Sequence, residues 1–365
     1  MNNELVIPPT SLSLIVTNKC TASCYNCCFA CSPKNKDIFT LQEMKNYIDQ
    51  SVQAYSTIKV LILTGGECFL LGSKLDKIIK YASNKGLLVR VVTNGYWAKS
   101  FKTAYNRLKT LVDLGLTEFN LSTGDEHQQW VPYENIINAT IASLKLGMVT
   151  AINVETSDVS EFEIDDLKSD IRLQKYKNLF GKELLVLGGT WMPFKKSTEE
   201  EFRKNKESKD KKKKILVGQA KRCVSLFDAI TINSTHKVHC CCGLASHYIP
   251  YLYVGSSKKH SLKFLYEYQF EDFLKIWLYT EGPKKILDFC LKLQGKPSID
   301  TVDWHICQIC AQIFQNEENI KILRENYQKV QLNVMMQYFI LRKKRLKILK
   351  LNDYENKQES NTSNS

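Results

Sequence analysis

The stretch SLSLIVTNKCTASCYNCCFAC, residues 11–31, runs from an apolar strand-like segment directly into a loop that holds five cysteines in twelve positions. Two triplets fit the same C-x3-C-x2-C spacing: Cys20, Cys24, Cys27 and, one step along, Cys24, Cys28, Cys31. Three thiolates on one short loop can bind zinc or iron–sulfur. Structural zinc wants a fourth ligand, usually from a second, separate knuckle, and beyond this loop the next cysteine is Cys68. A four-iron cluster can instead be held by three cysteines, which leaves one iron open to a small molecule.

Moving outward, the strand-then-helix pattern repeats. Strand-like runs follow at 58–64 (IKVLILT), 87–92 (LLVRVV), 117–122 (TEFNLS), 148–155 (MVTAINVE) and 183–188 (ELLVLG). Helix-compatible stretches such as LQEMKNYIDQSVQAY and KTAYNRLKTLVDLG lie between them, the latter stopping at a glycine. From the second strand onward the starts come about every thirty residues, the cadence of successive parallel βα units. Six units predict an α/β fold, a partial (β/α)6 TIM barrel. In that architecture functional groups sit at the C-terminal ends of strands. The segments found there are TNKCTASC, TGGEC, TNGYW and STGDEH after the first four strands in turn. Four such segments in a row point to one shared site.

Composition sets outer limits. A chain of 365 residues that is 44% hydrophobic can bury a large core, and no apolar run reaches the length of a membrane span. The N-terminus lacks the pattern of a secretory signal, so a cytoplasmic location is expected, where clustered cysteines among the thirteen point to metal sites rather than disulfides. The net charge of +13 is concentrated in KDKKKK (209–214) and LRKKRLKILK (341–350), read as a solvated loop and a basic helix end. Aromatics do not interleave with these bases, so no nucleic-acid partner is expected, and no membrane partner either. Residues 1–195 are assigned to the barrel, 196–214 to a charged linker, 215–317 to a second domain, 318–350 to a long helix and 351–365 to a disordered tail.

C-x3-C-x2-C after the first strand, GGE after the second, TNG after the third and a serine-containing turn after the fourth together resemble the radical S-adenosylmethionine (SAM) superfamily. The resemblance implies a [4Fe-4S] cluster on three cysteines, with SAM chelating the open iron. Reduction would cleave SAM to a 5′-deoxyadenosyl radical that abstracts a hydrogen atom from the substrate. It also assigns roles to residues. Gly65 and Gly66 would let the backbone approach the methionine moiety, Glu67 would accept from its ammonium, and Ser122 and Asn94 would line the SAM pocket. The family usually has proline where this chain has Cys68. Asp125, Glu126 and His127 sit at the mouth, as contacts to the ribose or the substrate or as a polar turn. A strand-end start to the cluster loop favours Cys20, Cys24 and Cys27 as the ligands, with Cys28 and Cys31 as bystanders.

Of the remaining cysteines, Cys68 and Cys290 stand alone and the others cluster as Cys223, then Cys240, Cys241 and Cys242, then Cys307 and Cys310. This resembles the SPASM or twitch domains that carry an auxiliary cluster. Their cysteine–gap–glycine–x4–cysteine opening, counted from Cys223, puts His236 at the glycine and Cys241 at the next ligand. Too few cysteines follow for a full SPASM set, so a single second [4Fe-4S] cluster on Cys223, Cys241, Cys307 and Cys310 is expected. Spacing alone also allows zinc there. His239, His247 and His305 are read as surface or packing residues.

The resemblance implies a radical SAM enzyme with a reducing partner such as flavodoxin or ferredoxin. The leading expectation is a ribosomally synthesised peptide as substrate, modified by crosslinking, epimerisation or other side-chain chemistry. No small leader-gripping domain is expected ahead of the first strand. The alternatives are a small metabolite or cofactor precursor as substrate, or a non-catalytic metal-bearing nucleic-acid binder with steeply salt-dependent affinity.

Overall fold

A computed structural model describes residues 4–156, 160–190, 222–301 and 304–362, with side-chain detail up to residue 350. The linker assigned to 196–214 lies outside the described residues. Six strands follow one another in parallel: β1 (Ser11–Ile15), β2 (Val60–Thr64), β3 (Leu88–Thr93), β4 (Leu116–Thr123), β5 (Val149–Thr156) and β6 (Leu184–Thr190). Helices α1 (Leu41–Ala54), α2 (Ser73–Ser83), α3 (Phe101–Asp113), α4 (Asp125–Gln128), α5 (Tyr133–Lys145), α6 (Ile164–Ser169) and α7 (Ile171–Gln174) connect them. This is the partial barrel expected from the repeat. Its strand boundaries fall within a residue or two of the apolar runs.

Local sequence explains the elements. Thr40 and Glu43 form a reciprocal capping box that starts α1, and Met44, Tyr47, Ile48 and Ser51 bury one helical face. The loop after β1 is pinned at its neck: Cys20 N–H donates to the Ser32 carbonyl at 3.1 Å, and Ser32 N–H to the Asn18 carbonyl at 3.3 Å. The cysteines therefore sit on a closed excursion from the end of β1.

The C-terminal half does not stand apart as a separate domain. Strand β7 (Ala229–Asn233) pairs parallel with the far side of β1, and β8 (Lys237–His239) and β9 (Tyr253–Ser256) add antiparallel, giving the order β6-β5-β4-β3-β2-β1-β7-β8-β9. With a strand on each side, β1 is buried along its whole length, including Ser11 and Ser13. Helices α8 (Leu262–Tyr268), α9 (Phe273–Glu281), α10 (Pro283–Leu293), α11 (Ile306–Phe314), α12 (Glu317–Asn326) and α13 (Gln328–Thr362) complete the described chain.

Two expectations need correction. The helix assigned to 318–350 is two helices, α12 and α13, parted at Tyr327. Just before the break the Asn326 side chain donates to the Ile322 carbonyl at 2.9 Å, competing with the backbone ladder. The tail assigned as disordered from 351 continues the α13 backbone through Thr362, because adding Lys, Glu and Gln to an established helix is far easier than nucleating one. Further back, Tyr338 of α13 is buried with its hydroxyl on the Leu5 carbonyl, and Arg342 Nε donates to the Val6 carbonyl at 3.1 Å. Among the described residues, no helix is long and apolar enough to cross a membrane.

Candidate metal and cofactor centre

Cys20, Cys24 and Cys27 group together beyond the C-terminal end of β1, and Cys24 is close enough to feel the charge of both others. N–H groups point at their sulfurs: Ala22 N to Cys20 Sγ at 3.4 Å, Asn94 Nδ2 to Cys20 Sγ at 3.6 Å, and Cys31 N to Cys27 Sγ at 3.4 Å. Such donors stabilise thiolates and tune a cluster they hold. Burial pushes Cys20 up to about 11 and raises Cys24 further, while the Cys31 thiol bonded to Cys27 draws Cys27 down to about 6. Cys28 packs against the main core, within electrostatic reach of Cys27, Cys242 and Cys307. Asn18 Oδ1 and Asn26 Oδ1, in the same loop, are buried without a hydrogen-bond partner. Thiols with N–H donors and buried acceptors beside them suit a cluster and its ligand.

The glycines of TGGE have a tighter job than approach to a ligand. A Cβ on Gly66 would lie 2.1 Å from the Lys19 carbonyl oxygen, and one on Gly65 2.5 Å from that of Thr17. The backbone makes this contact as hydrogen bonds, Gly66 N to Thr17 O at 2.7 Å and Glu67 N to Lys19 O at 3.0 Å. The β2 loop is thereby laced to the cysteine loop. Glu67 is fully buried, and its carboxylate accepts from Phe69 N, Thr93 Oγ1 and Asn94 N at 2.8–3.0 Å. It braces the ends of β2 and β3 instead of presenting a free acceptor to a ligand. Asn94 also donates to Thr21 Oγ1 at 3.0 Å, tying the β3 loop to the cysteine loop. Ser122 is partly buried on β4 beside Asn153 of β5.

Asp125, Glu126 and His127 form a hub. The Asp125 carboxylate accepts from Glu161 N (2.7 Å) and Phe162 N (2.9 Å), and Glu126 Oε2 from Tyr25 N (2.8 Å) in the cysteine loop. His127 Nδ1 lies 2.6 Å from Glu155 Oε2, and Glu155 also accepts from the backbone N–H groups of Glu126 and His127. Sequence reading missed Glu155; the signal was a lone carboxylate at the C-terminal end of an apolar strand.

Farther along, Cys223, Cys241, Cys307 and Cys310 line one cavity of about 290 Å³, joined by Cys242. A Cβ on Gly243 would lie 3.3 Å from Cys307 Sγ and 3.4 Å from Cys241 Sγ. Burial, reinforced by Cys241, pushes Cys223 and Cys307 up to about 12, and Cys241 and Cys310 are raised as well. Thiolates so placed penalise one another unless a cation joins them, the setting a metal centre reverses. Among the described residues, no three His, Cys, Asp or Glu side chains converge tightly enough for a single ion; the four thiols surround a space. Cys240 is buried beside Tyr251 and Cys241 and does not line the cavity.

His236, in the glycine position of the motif, has φ +63°, the left-handed turn that glycine would supply, and its Nδ1 lies 2.7 Å from the Tyr47 hydroxyl. His239 is buried and stacks on His247, so packing is its role and surface exposure is not; His305 Nδ1 caps α11 by accepting from Cys307 N at 3.1 Å.

Residues 14–147 match the Radical SAM superfamily. The matched part, somewhat over a third of the chain, holds the cysteine loop and the laced ends of β1 to β4. The putative peptide biosynthesis protein YydG of Bacillus subtilis (strain 168) is 28% identical over 131 residues, 35% of this chain and 40% of that protein. The match thus spans less than half of the relative's length. The solved structure of anSMEcpe with bound AdoMet has a TM-score of 0.51 at 13% identity, covering 91% of this chain and 98% of that one. The same protein with AdoMet and Cp18Cys peptide scores 0.50 at 13% identity, covering 90% and 100%. Both are similar to this chain in fold, including its C-terminal half.

Proposed function

We propose that this protein is a radical SAM enzyme that modifies a ribosomally synthesised peptide. Cys20, Cys24 and Cys27 would hold the [4Fe-4S] cluster, and Gly65, Gly66, Asn94 and Ser122 would border the SAM site. Cys223, Cys241, Cys307 and Cys310 would hold a second [4Fe-4S] cluster. When bound, the first cluster and SAM supply reductive carbon–sulfur cleavage and, through it, hydrogen-atom abstraction. The observation that carries the reading is the lacing of three loops at the strand ends: TGGE to the cysteine-loop backbone, Asn94 to Cys20 and Thr21, and Glu126 to Tyr25. Glu155 fixes His127 and with it the wall of the mouth. The relative's name supports a peptide as substrate. A positively charged chain, at +13, suits an acidic one-electron donor such as a flavodoxin or ferredoxin.

The test is anaerobic reconstitution with iron and sulfide, iron counting, and assay of 5′-deoxyadenosine with SAM and dithionite. About eight irons are expected, falling to about four in a Cys20, Cys24, Cys27 triple alanine variant, with the nucleoside lost. A variant that keeps its iron and still cleaves SAM would move the first site to Cys24, Cys28 and Cys31. Zinc in place of iron, with no nucleoside formed, would end the enzyme reading.

A further inference from the structure

The two cysteine sites are joined by a continuous chain of hydrogen bonds. Helix α11, which carries Cys307 and Cys310, ends at Gln315, whose Nε2 donates to the Tyr248 carbonyl at 3.1 Å. Tyr248 lies on the loop that begins at Cys240–Cys242, and its hydroxyl donates to the Cys27 carbonyl at 2.6 Å. That carbonyl also accepts from Ala30 N at 3.1 Å, closing a turn in which Ala30 takes φ +50°. An alanine in the left-handed region is strained and persists only when its surroundings enforce it. Here part of the enforcement comes from the far site. One further contact lies in the same seam, Ser13 Oγ at 3.4 Å from Cys242 Sγ, and Cys28 lies within electrostatic reach of Cys242 and Cys307.

We infer that occupancy of the C-terminal cysteine site sets the shape of the N-terminal cluster loop, with Tyr248 as the positioning residue that transmits it. The inference rests on the two-cluster reading above. A group bound by Cys241, Cys307 and Cys310 fixes α11 and the 240–249 loop relative to each other. Gln315 and the chain itself carry that placement to Tyr248. The Tyr248 hydroxyl then holds the Cys27 carbonyl and the turn behind it, and so the direction in which Cys27 presents its sulfur. Without the bond, the turn loses its outside support while all three candidate ligands remain.

The experiment uses full-length protein reconstituted with iron and sulfide, followed by iron counting and electron paramagnetic resonance at controlled potentials. The signal to follow is the one that changes when SAM is added, which reports the N-terminal cluster alone. Tyr248→Phe should keep the full iron count yet displace the g-values and midpoint potential of that signal. Gln315→Ala, which cuts the chain at its other end, should displace them in the same direction. A Cys307→Ala, Cys310→Ala variant should lose about half the iron and show the same displacement, with nothing added by Tyr248→Phe in combination. An unchanged signal in Tyr248→Phe and Gln315→Ala, or additive effects in the combination, would overturn the coupling. Failure of the two-cluster reading looks different: wild type and the Cys307, Cys310 variant would then hold equal iron.

Discussion

Glu67 places a carboxylate where no water reaches it, and three donors on two neighbouring strand ends share its oxygens. Burial, the largest influence, raises it from 4.5 to about 7 despite those donors. Between these values the folded protein keeps a proton that the unfolded chain has shed. Stability is therefore fully present below about pH 4.5 and falls as pH rises to about 7, by on the order of 3 kcal/mol in the metal-free protein. Glu67→Gln should remove that part of the slope. It should also lower stability near pH 5 by about 1–3 kcal/mol, because an amide nitrogen now meets an N–H. Urea melts between about pH 5 and pH 7.5 decide this, and equal slopes in both proteins would refute it. Sequence reading found this residue through TGGE but pointed it at a ligand. Its true partners, Thr93 and Asn94, become legible only once β2 and β3 are known to be neighbours.

At the scale of elements, the C-x2-C of α11 was readable because residues three apart on a helix share a face. The choice within Cys240, Cys241 and Cys242 was harder to read, because side-chain directions in three successive loop residues depend on the turn they follow. That turn hinges on His236 at φ +63°, which the motif marks with glycine. Cys241 lines the cavity with Cys307, Cys242 lines it while contacting Ser13, and Cys240 lies outside it. Cys241→Ala should therefore lose about four of about eight irons on reconstitution, while Cys240→Ala and Cys242→Ala retain them. Iron counting checks this; loss in Cys240→Ala instead would shift the ligand assignment by one. The break at Tyr327 stayed invisible because the helical pattern of the sequence continues across it.

Across the whole molecule, the two ends of the chain meet. Tyr338 and Arg342 of α13 bond the carbonyls of Leu5 and Val6, and the Tyr266 hydroxyl lies 2.8 Å from the carbonyls of both Ile7 and Phe227. Nothing local in the sequence announces these contacts, since their partners are more than two hundred and fifty residues apart in two of the three tyrosine pairings. Tyr338 is wholly buried. Tyr338→Ala should cost about 3–5 kcal/mol of stability and Tyr338→Phe about 1 kcal/mol, read by chemical denaturation. Equal losses would mean that the hydroxyl, and not the ring, ties the N-terminal segment in place. The barrel itself was legible from the sequence because each strand and helix repeats on a local period.

The parallel pairing of β7 with β1 sets a rule for anyone who would recombine such folds. A cut after β6 looks like a clean module boundary, yet it would strip one side of β1 and leave a row of backbone donors and acceptors unmatched. That naked edge would recruit strands from other molecules, and the excised barrel would come out of cells as aggregate. A transplantable barrel half must therefore carry β7 with it.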